Sequence, residues 1–219
     1  MDSAVVRFGG LVLALVATMS LAAGCGDDDS DNGDHADNAF ELSGRIDQVG
    51  PSFKGYGFVT RIDGVEASAL TEAGGSEISE KDARVTFVFE TELTSRAVVG
   101  DSFSVATEGG ATFYLDDQPG ASFEDPDSFA AGEEVGSGSL RVTNLVTVYA
   151  PNSGIATATG SLELDDASSF DLDGEDASLG DSGDEYRITL TGRGTRTDSL
   201  IPESNFDVAG QAVLADESR

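Results

Sequence analysis

Residues Arg84–Glu92 read RVTFVFETE, placing Val85, Phe87 and Phe89 on one side of an extended chain and Thr86, Val88 and Glu90 on the other. Alternation with a period of two marks a β-strand with one buried face. Working outward, similar apolar stripes run through Phe40–Val49, Tyr56–Asp63, Asp101–Thr107, Ala111–Asp116, Ser139–Ala150, Gly154–Leu164, Glu185–Thr197 and Phe206–Leu214. Gly, Asp, Asn and Pro fall between them. About nine short strands punctuated this way predict an all-β fold, an antiparallel β-sandwich with a closed barrel as the alternative. Periodicity does not reveal which strands pair, so it does not choose between the two. The stripe in Leu140–Tyr149 changes phase at Asn144, which predicts a bulge or a strand buried on both faces. Only Val65–Ala73 has a weak helical pattern.

Glycines recur inside these stripes. Phe40/Leu42/Gly44/Ile46, Ala156/Ala158/Gly160/Leu162, Tyr186/Ile188/Leu190/Gly192 and Phe206/Val208/Gly210/Ala212 each carry one on the apolar side. An inward glycine weakens a strand unless the sheet bends there or a neighbour packs over it. With 12 Phe and 4 Tyr in the chain, aromatic rings are the expected cover.

The 219 residues carry 41 acidic and 12 basic side chains, a formal charge of -29. Phosphate binding relies on Lys and Arg releasing counterions, so this balance excludes a nucleic-acid partner. One Cys and one His exclude a disulfide scaffold, a Cys/His zinc site and triads of the Ser-His-Asp or Cys-His kind in the body. At 39% hydrophobic, the chain can still bury a core. The charge suits either a habitat rich in salt or cation binding.

The N-terminus is a separate region. Phe8–Leu21 is a run without charge, too short at 1.5 Å per residue to span a bilayer core of about 30 Å. It has the character of a signal-peptide core. It ends in Leu21-Ala22-Ala23-Gly24-Cys25, and Cys25 is the single cysteine. This segment resembles the lipobox of bacterial lipoproteins processed by signal peptidase II. The resemblance implies cleavage after Gly24, diacylglycerol on the Cys25 thiol, an acyl chain such as palmitate on the new amine, and a membrane partner held through lipid. Gly26, where an Asp would signal inner-membrane retention in enteric lipoproteins, implies an outer membrane or cell surface if the organism has an outer membrane. Residues 27–37 include six Asp and no large apolar side chain, the composition of an extended tether, and His35 lies within it. The expected layout is a signal peptide at 1–24, lipidated Cys and acidic tether at 25–38, and one all-β domain at 39–219.

Two acidic connections interrupt the strands, Asp116–Ser137 and Asp165–Asp184. The second contains Asp171-Leu172-Asp173-Gly174, the D-x-D-G spacing at the core of a calcium loop. The full helical calcium-loop spacing fails, with Ser169 in the first position and Gly180 where a bidentate Glu belongs. Asp171, Asp173, Glu175 and Asp176 are nonetheless the candidate Ca²⁺ ligands; no other cofactor is expected. Phe53 and Tyr56, in Pro51–Phe58 (PSFKGYGF), are candidate contacts to a ligand or partner, with packing over the glycines as the plainer reading. Arg193 and Arg196 read as solvent-facing charge. The function expected is a lipid-anchored cell-envelope protein with a non-enzymatic binding or structural role toward an envelope protein or glycan. The alternatives are a Ca²⁺-dependent adhesion or carbohydrate-binding module and, behind it, a glycoside hydrolase using paired carboxylates.

Overall fold

The computed structural model describes residues 38–75, 77–198 and 203–215. Ten strands follow one another: β1 (Asn38–Val49), β2 (Ser52–Ile62), β3 (Val85–Val99), β4 (Ser102–Leu115), β5 (Glu133–Ala150), β6 (Ser153–Ala167), β7 (Phe170–Leu172), β8 (Glu175–Ala177), β9 (Glu185–Asp198) and β10 (Glu203–Leu214). Each strand of the main sheet pairs antiparallel with its chain neighbour, β6 pairs with β9, and β10 returns to β1. The result is a closed eight-stranded barrel; β7 and β8 form a separate hairpin. The all-β antiparallel fold expected from the alternation is therefore present, in the barrel form.

Nine expected stripes become eight barrel strands because β4 runs unbroken through Glu108-Gly109-Gly110, which composition marks as a turn. The two glycines are register partners of Glu90 and Thr91 on β3, and β4 crosses closely there. A Cβ at Gly109 would overlap the Glu90 carbonyl oxygen. Here glycine permits approach and does not reverse the chain.

Around the barrel, Phe40, Leu42 and Ile46 of β1, Phe87 of β3, Phe113 of β4, Leu162 of β6, Leu190 of β9 and Val208 of β10 point inward and are buried. The outward residues of β5, β6 and β9 are largely Thr, Ser and Arg. This apolar-in, polar-out alternation is the reverse of a lipid-spanning barrel. Of the inward glycines, Gly55 and Gly194 are covered by the rings of Phe89 and Phe206, and Gly44 and Gly57 meet both the Phe87 ring and, more closely, the carbonyl oxygens of Tyr56 and Ser43. Gly160, Gly192 and Gly210 instead face carbonyl oxygens of the adjacent strand, those of Arg141, Asp207 and Thr189. Strand coiling, and not ring cover, accounts for them.

β5 does not change phase at Asn144. That residue pairs in register with Val105 and Ala158, and its side chain lines the interior in step with Leu140 and Val142. The irregularities of β5 lie elsewhere, at Val135 opposite β4 and at Tyr149 opposite β6, and a further shift opposite Ser137 and Gly138 belongs to Asp165 of β6. The sequence pattern breaks at Asn144 because a polar residue occupies an inward place while Leu145 faces out, 51% exposed.

The two ends of the barrel differ. One carries the tight turns β1–β2, β3–β4 and β5–β6, helped by positive φ at Gly50, Gly100 and Asn152. The other carries the long connections. Between β2 and β3 a short 3₁₀ turn, Ala67–Leu70, replaces the weak helix and buries Leu70 completely. The connection from Asp116 folds onto the outside of β2, where Phe129 and Phe123 cover Tyr56 and Phe58. The β7–β8 hairpin delivers Phe170, Leu172, Ala177 and Leu179 into the main core. Both acidic connections are thus packed elements with solvated outer faces. Pairing of β1 with β10 closes the barrel, so closure draws only on strands between Asn38 and Leu214.

Candidate functional site

Cys25 and His35, the only Cys and His of the chain, fall outside the described residues. Phe53 and Tyr56 occupy opposite faces of β2. Phe53 points into the barrel, 9% exposed. Tyr56 points outward but is buried beneath the covering connection, its ring centroid 5.4 Å from that of Phe129. Its hydroxyl donates to Asp47 Oδ2 at 2.7 Å. Burial, then this hydrogen bond and the charge of Asp47, push its pKa up to about 12. Neither ring is presented to solvent as a contact surface.

The D-x-D-G segment forms the β7–β8 turn. Asp173 and Gly174 have φ of 59° and 89°, as a two-residue hairpin with both central residues left-handed requires. Asp171 Oδ1 accepts the Gly174 amide at 3.1 Å, and Asp173 Oδ1 accepts from Arg84 Nη1 at 3.0 Å. Glu175 and Asp176 are exposed on β8, with Asp176 in register with Asp171. Turn chemistry accounts for the spacing of these four acids. Among the described residues, no three His, Cys, Asp or Glu side chains gather as a metal site.

Two concave spaces have the form of ligand sites. The barrel interior retains about 60 Å³, lined by Phe53, Phe89, Val105, Leu140, Asn144 and others. Ligand pockets typically measure about 300–1,000 Å³. The interior is therefore a packed core with room for a water molecule or two. Asn144 Oδ1 is buried there without a hydrogen-bond partner, and such a water would satisfy it.

The second space lies outside, a shallow groove of about 620 Å³ crossing β4, β5, β6 and β9. Strand register builds it from two rows. Arg141, Ser161 and Arg187 form one; Thr143, Thr159 and Thr189 form the next. Strands spaced about 4.8 Å apart set the two Arg backbones about 10 Å from each other, with Ser161 between them. Glu108 and Glu185 stand at the margins, and Arg141 Nε lies 3.7 Å from Glu108 Oε1. The two Arg and two Glu balance in charge. Guanidinium donors, carboxylate acceptors and rows of hydroxyls suit hydrogen bonding to a polyhydroxylated molecule; the groove contains no His or Cys.

The surrounding face has a distinct composition. Val135–Leu162 contains no Asp or Glu over 28 residues, and neither does Tyr186–Thr197. In a chain with 41 acids among 219 residues, these are long gaps, and register brings them side by side over most of β5, β6 and β9, with the Glu163–Glu185 pair at their border. The gaps are visible in the sequence as run lengths; a search for acidic clusters passes over them. Arg141 and Arg187 carry no motif of their own, and only strand pairing joins them.

No family model matches the chain, and no curated protein or solved structure is significantly similar to it.

Proposed function

We propose that this chain is a lipid-anchored cell-envelope protein, exported to an outer membrane or cell surface, that works by binding and not by catalysis. Its contact surface is the outer face of β5, β6 and β9, and its ligand is a neutral glycan of the envelope. The observation supporting this is the absence of Asp and Glu from Val135–Leu162 and Tyr186–Thr197, which make up most of that face, in a chain of charge -29. Surface charge that keeps most of the molecule apart from its neighbours is withheld where a neighbour must approach. The groove adds hydroxyl and guanidinium groups at strand spacing, matched to sugar hydroxyls.

The test is cosedimentation of the body, residues 38–219, with insoluble neutral cell-wall polysaccharide at about 0.15 M NaCl, where surface charges are screened beyond about 8 Å. The wild-type body is expected in the pellet. Thr159→Glu, which places a carboxylate in the middle of the groove, is expected to weaken retention at least about tenfold, roughly 1.4 kcal/mol. Absence of wild-type retention, or equal retention of the variant, overturns the reading.

A further inference from the structure

Apolar side chains exposed on this barrel are concentrated at one end. Among the described residues, eight large hydrophobic side chains are exposed: Val49, Val98, Val99, Leu145, Val148, Tyr149, Ile155 and Leu214. Six lie within three residues of a tight turn, and all three described turns of that end contribute. Val49 precedes Gly50, Val98 and Val99 precede Gly100, and Val148, Tyr149 and Ile155 flank Pro151-Asn152. Val99 is 72% exposed and Val98 62%. The β3–β4 hairpin also reaches past its neighbour: β2 pairs with β3 only as far as Ser52–Glu92, which leaves residues 93–99 beyond the end of β2.

Arginines stand among these tips. The Arg96 guanidinium lies over the Phe103 ring, 4.8 Å from its centroid, and Arg193 Nη2 donates to the Tyr149 hydroxyl at 3.3 Å. An apolar tip, an amphipathic aromatic and a cation on an apolar stem are the groups that settle at a bilayer boundary, where hydrocarbon and phosphate lie within a few ångströms.

We propose that the turn end of the barrel docks on a zwitterionic phospholipid surface, with Val49, Val98, Val99, Val148 and Tyr149 entering the headgroup layer and Arg96 and Arg193 meeting phosphates. Separate protruding tips around a rim suit a fluid surface that moulds to them; a rigid protein face requires one continuous, complementary patch. The charge selects the lipid. With 34 acidic and 11 basic side chains from Asn38 onward, a formal charge of -23, the body is repelled by anionic headgroups, whereas a zwitterionic layer has phosphates without net charge. On the lipid-anchor reading above, Cys25 is 13 residues before Asn38, a reach of at most about 45 Å. Asn38 opens β1 at the end opposite the tips, so docking by the tips requires that stretch to cover the length of β1, about 36 Å.

The experiment uses the unlipidated body, residues 38–219, so that its result is independent of what happens at Cys25. Flotation with phosphatidylcholine vesicles is compared for the wild type, the double variant Val98→Asp/Val99→Asp, Tyr149→Asp and the groove variant Thr159→Glu. Binding by the wild type and by Thr159→Glu, reduced at least about tenfold in the tip variants, is the expected result. Retention of Thr159→Glu on vesicles separates this surface from the glycan groove. The chain has no Trp, so Val99→Trp adds a single reporter. Its emission is expected to shift to the blue and to be quenched by phosphatidylcholine brominated in its chains. A wild type that stays with the aqueous fraction, tip variants that float like the wild type, or an unquenched Trp overturns the proposal. So does a vesicle-free dimer, by sedimentation, that the tip variants abolish, since the tips would then serve a second copy of the chain.

Discussion

Adjacent glycines in β4 show how finely position decides a residue's role. A Cβ at Gly109 would run into the Glu90 carbonyl and the Thr91 Cα, whereas one at Gly110 would rest 3.5 Å from the Gly138 oxygen, an ordinary contact. Gly109→Ala is therefore expected to destabilise by about 1–3 kcal/mol through overpacking. Gly110→Ala is expected to be neutral or to stabilise by up to about 1 kcal/mol, because the unfolded chain loses freedom. Denaturant unfolding of the two variants checks this, and equal effects would contradict the close crossing. Tyr56 makes a second case. Its folded-state pKa of about 12, above the ordinary 10, means that the fold disfavours the tyrosinate. Its contribution is complete below about pH 10 and is lost as the pH climbs through about 12. Stability measured across that window should fall more steeply for the wild type than for Tyr56→Phe; parallel curves would show that Tyr56 does not carry the effect. Neither property is legible in the sequence. Phe53 and Tyr56 look alike there, as aromatics beside glycines, and only the covering connection from Asp116 separates a barrel interior from an outer pocket.

At the scale of elements, alternation was the readable signal and turn composition the unreliable one. β3 was legible because Val85, Phe87 and Phe89 keep strict phase; Glu108-Gly109-Gly110 was not, because close approach and chain reversal both select glycine. The β7–β8 hairpin shows a related ambiguity. Asp-Gly serves a left-handed turn as readily as a cation loop, and the structure uses it to present Leu172, 1% exposed, to the core. Arg84 locks the hairpin from beside it, donating to Asp173 and to the Ala69 carbonyl. Leu172→Ala is expected to cost about 2–5 kcal/mol, in line with other buried truncations. Amide exchange should quicken in β7 and β8 beyond what global unfolding explains. A loss below about 0.5 kcal/mol would mean that the hairpin is a surface appendage.

At the scale of the whole molecule, charge dominates. With 41 acids against 12 bases, carboxylate repulsion opposes the compact state, and the ion pairs among the described residues each have at least one exposed partner, as in Arg61–Glu41, where solvent weakens the attraction. The thermal midpoint of the body is expected to rise between about 0.05 and 2 M NaCl as repulsion is screened. A flat response would show that the charges are too far apart to matter. The same charge gives Val135–Leu162 and Tyr186–Thr197 their meaning: free of Asp and Glu, they relax repulsion over the adjoining parts of β5, β6 and β9.

What the sequence determined by itself was the strand class, its antiparallel character and the sign of the surface, because alternation and composition are local sums over residues. The resemblance of Leu21–Cys25 to a lipobox likewise rests on five consecutive residues. Tertiary structure alone decided that β10 closes on β1, that the interior is filled to within about 60 Å³, and that Arg141 and Arg187 flank one serine on a shared groove. These facts depend on strand register between residues 20 to 175 positions apart. Register is set by the fit of large side chains against inward glycines around a closed ring, a condition that no window along the chain contains.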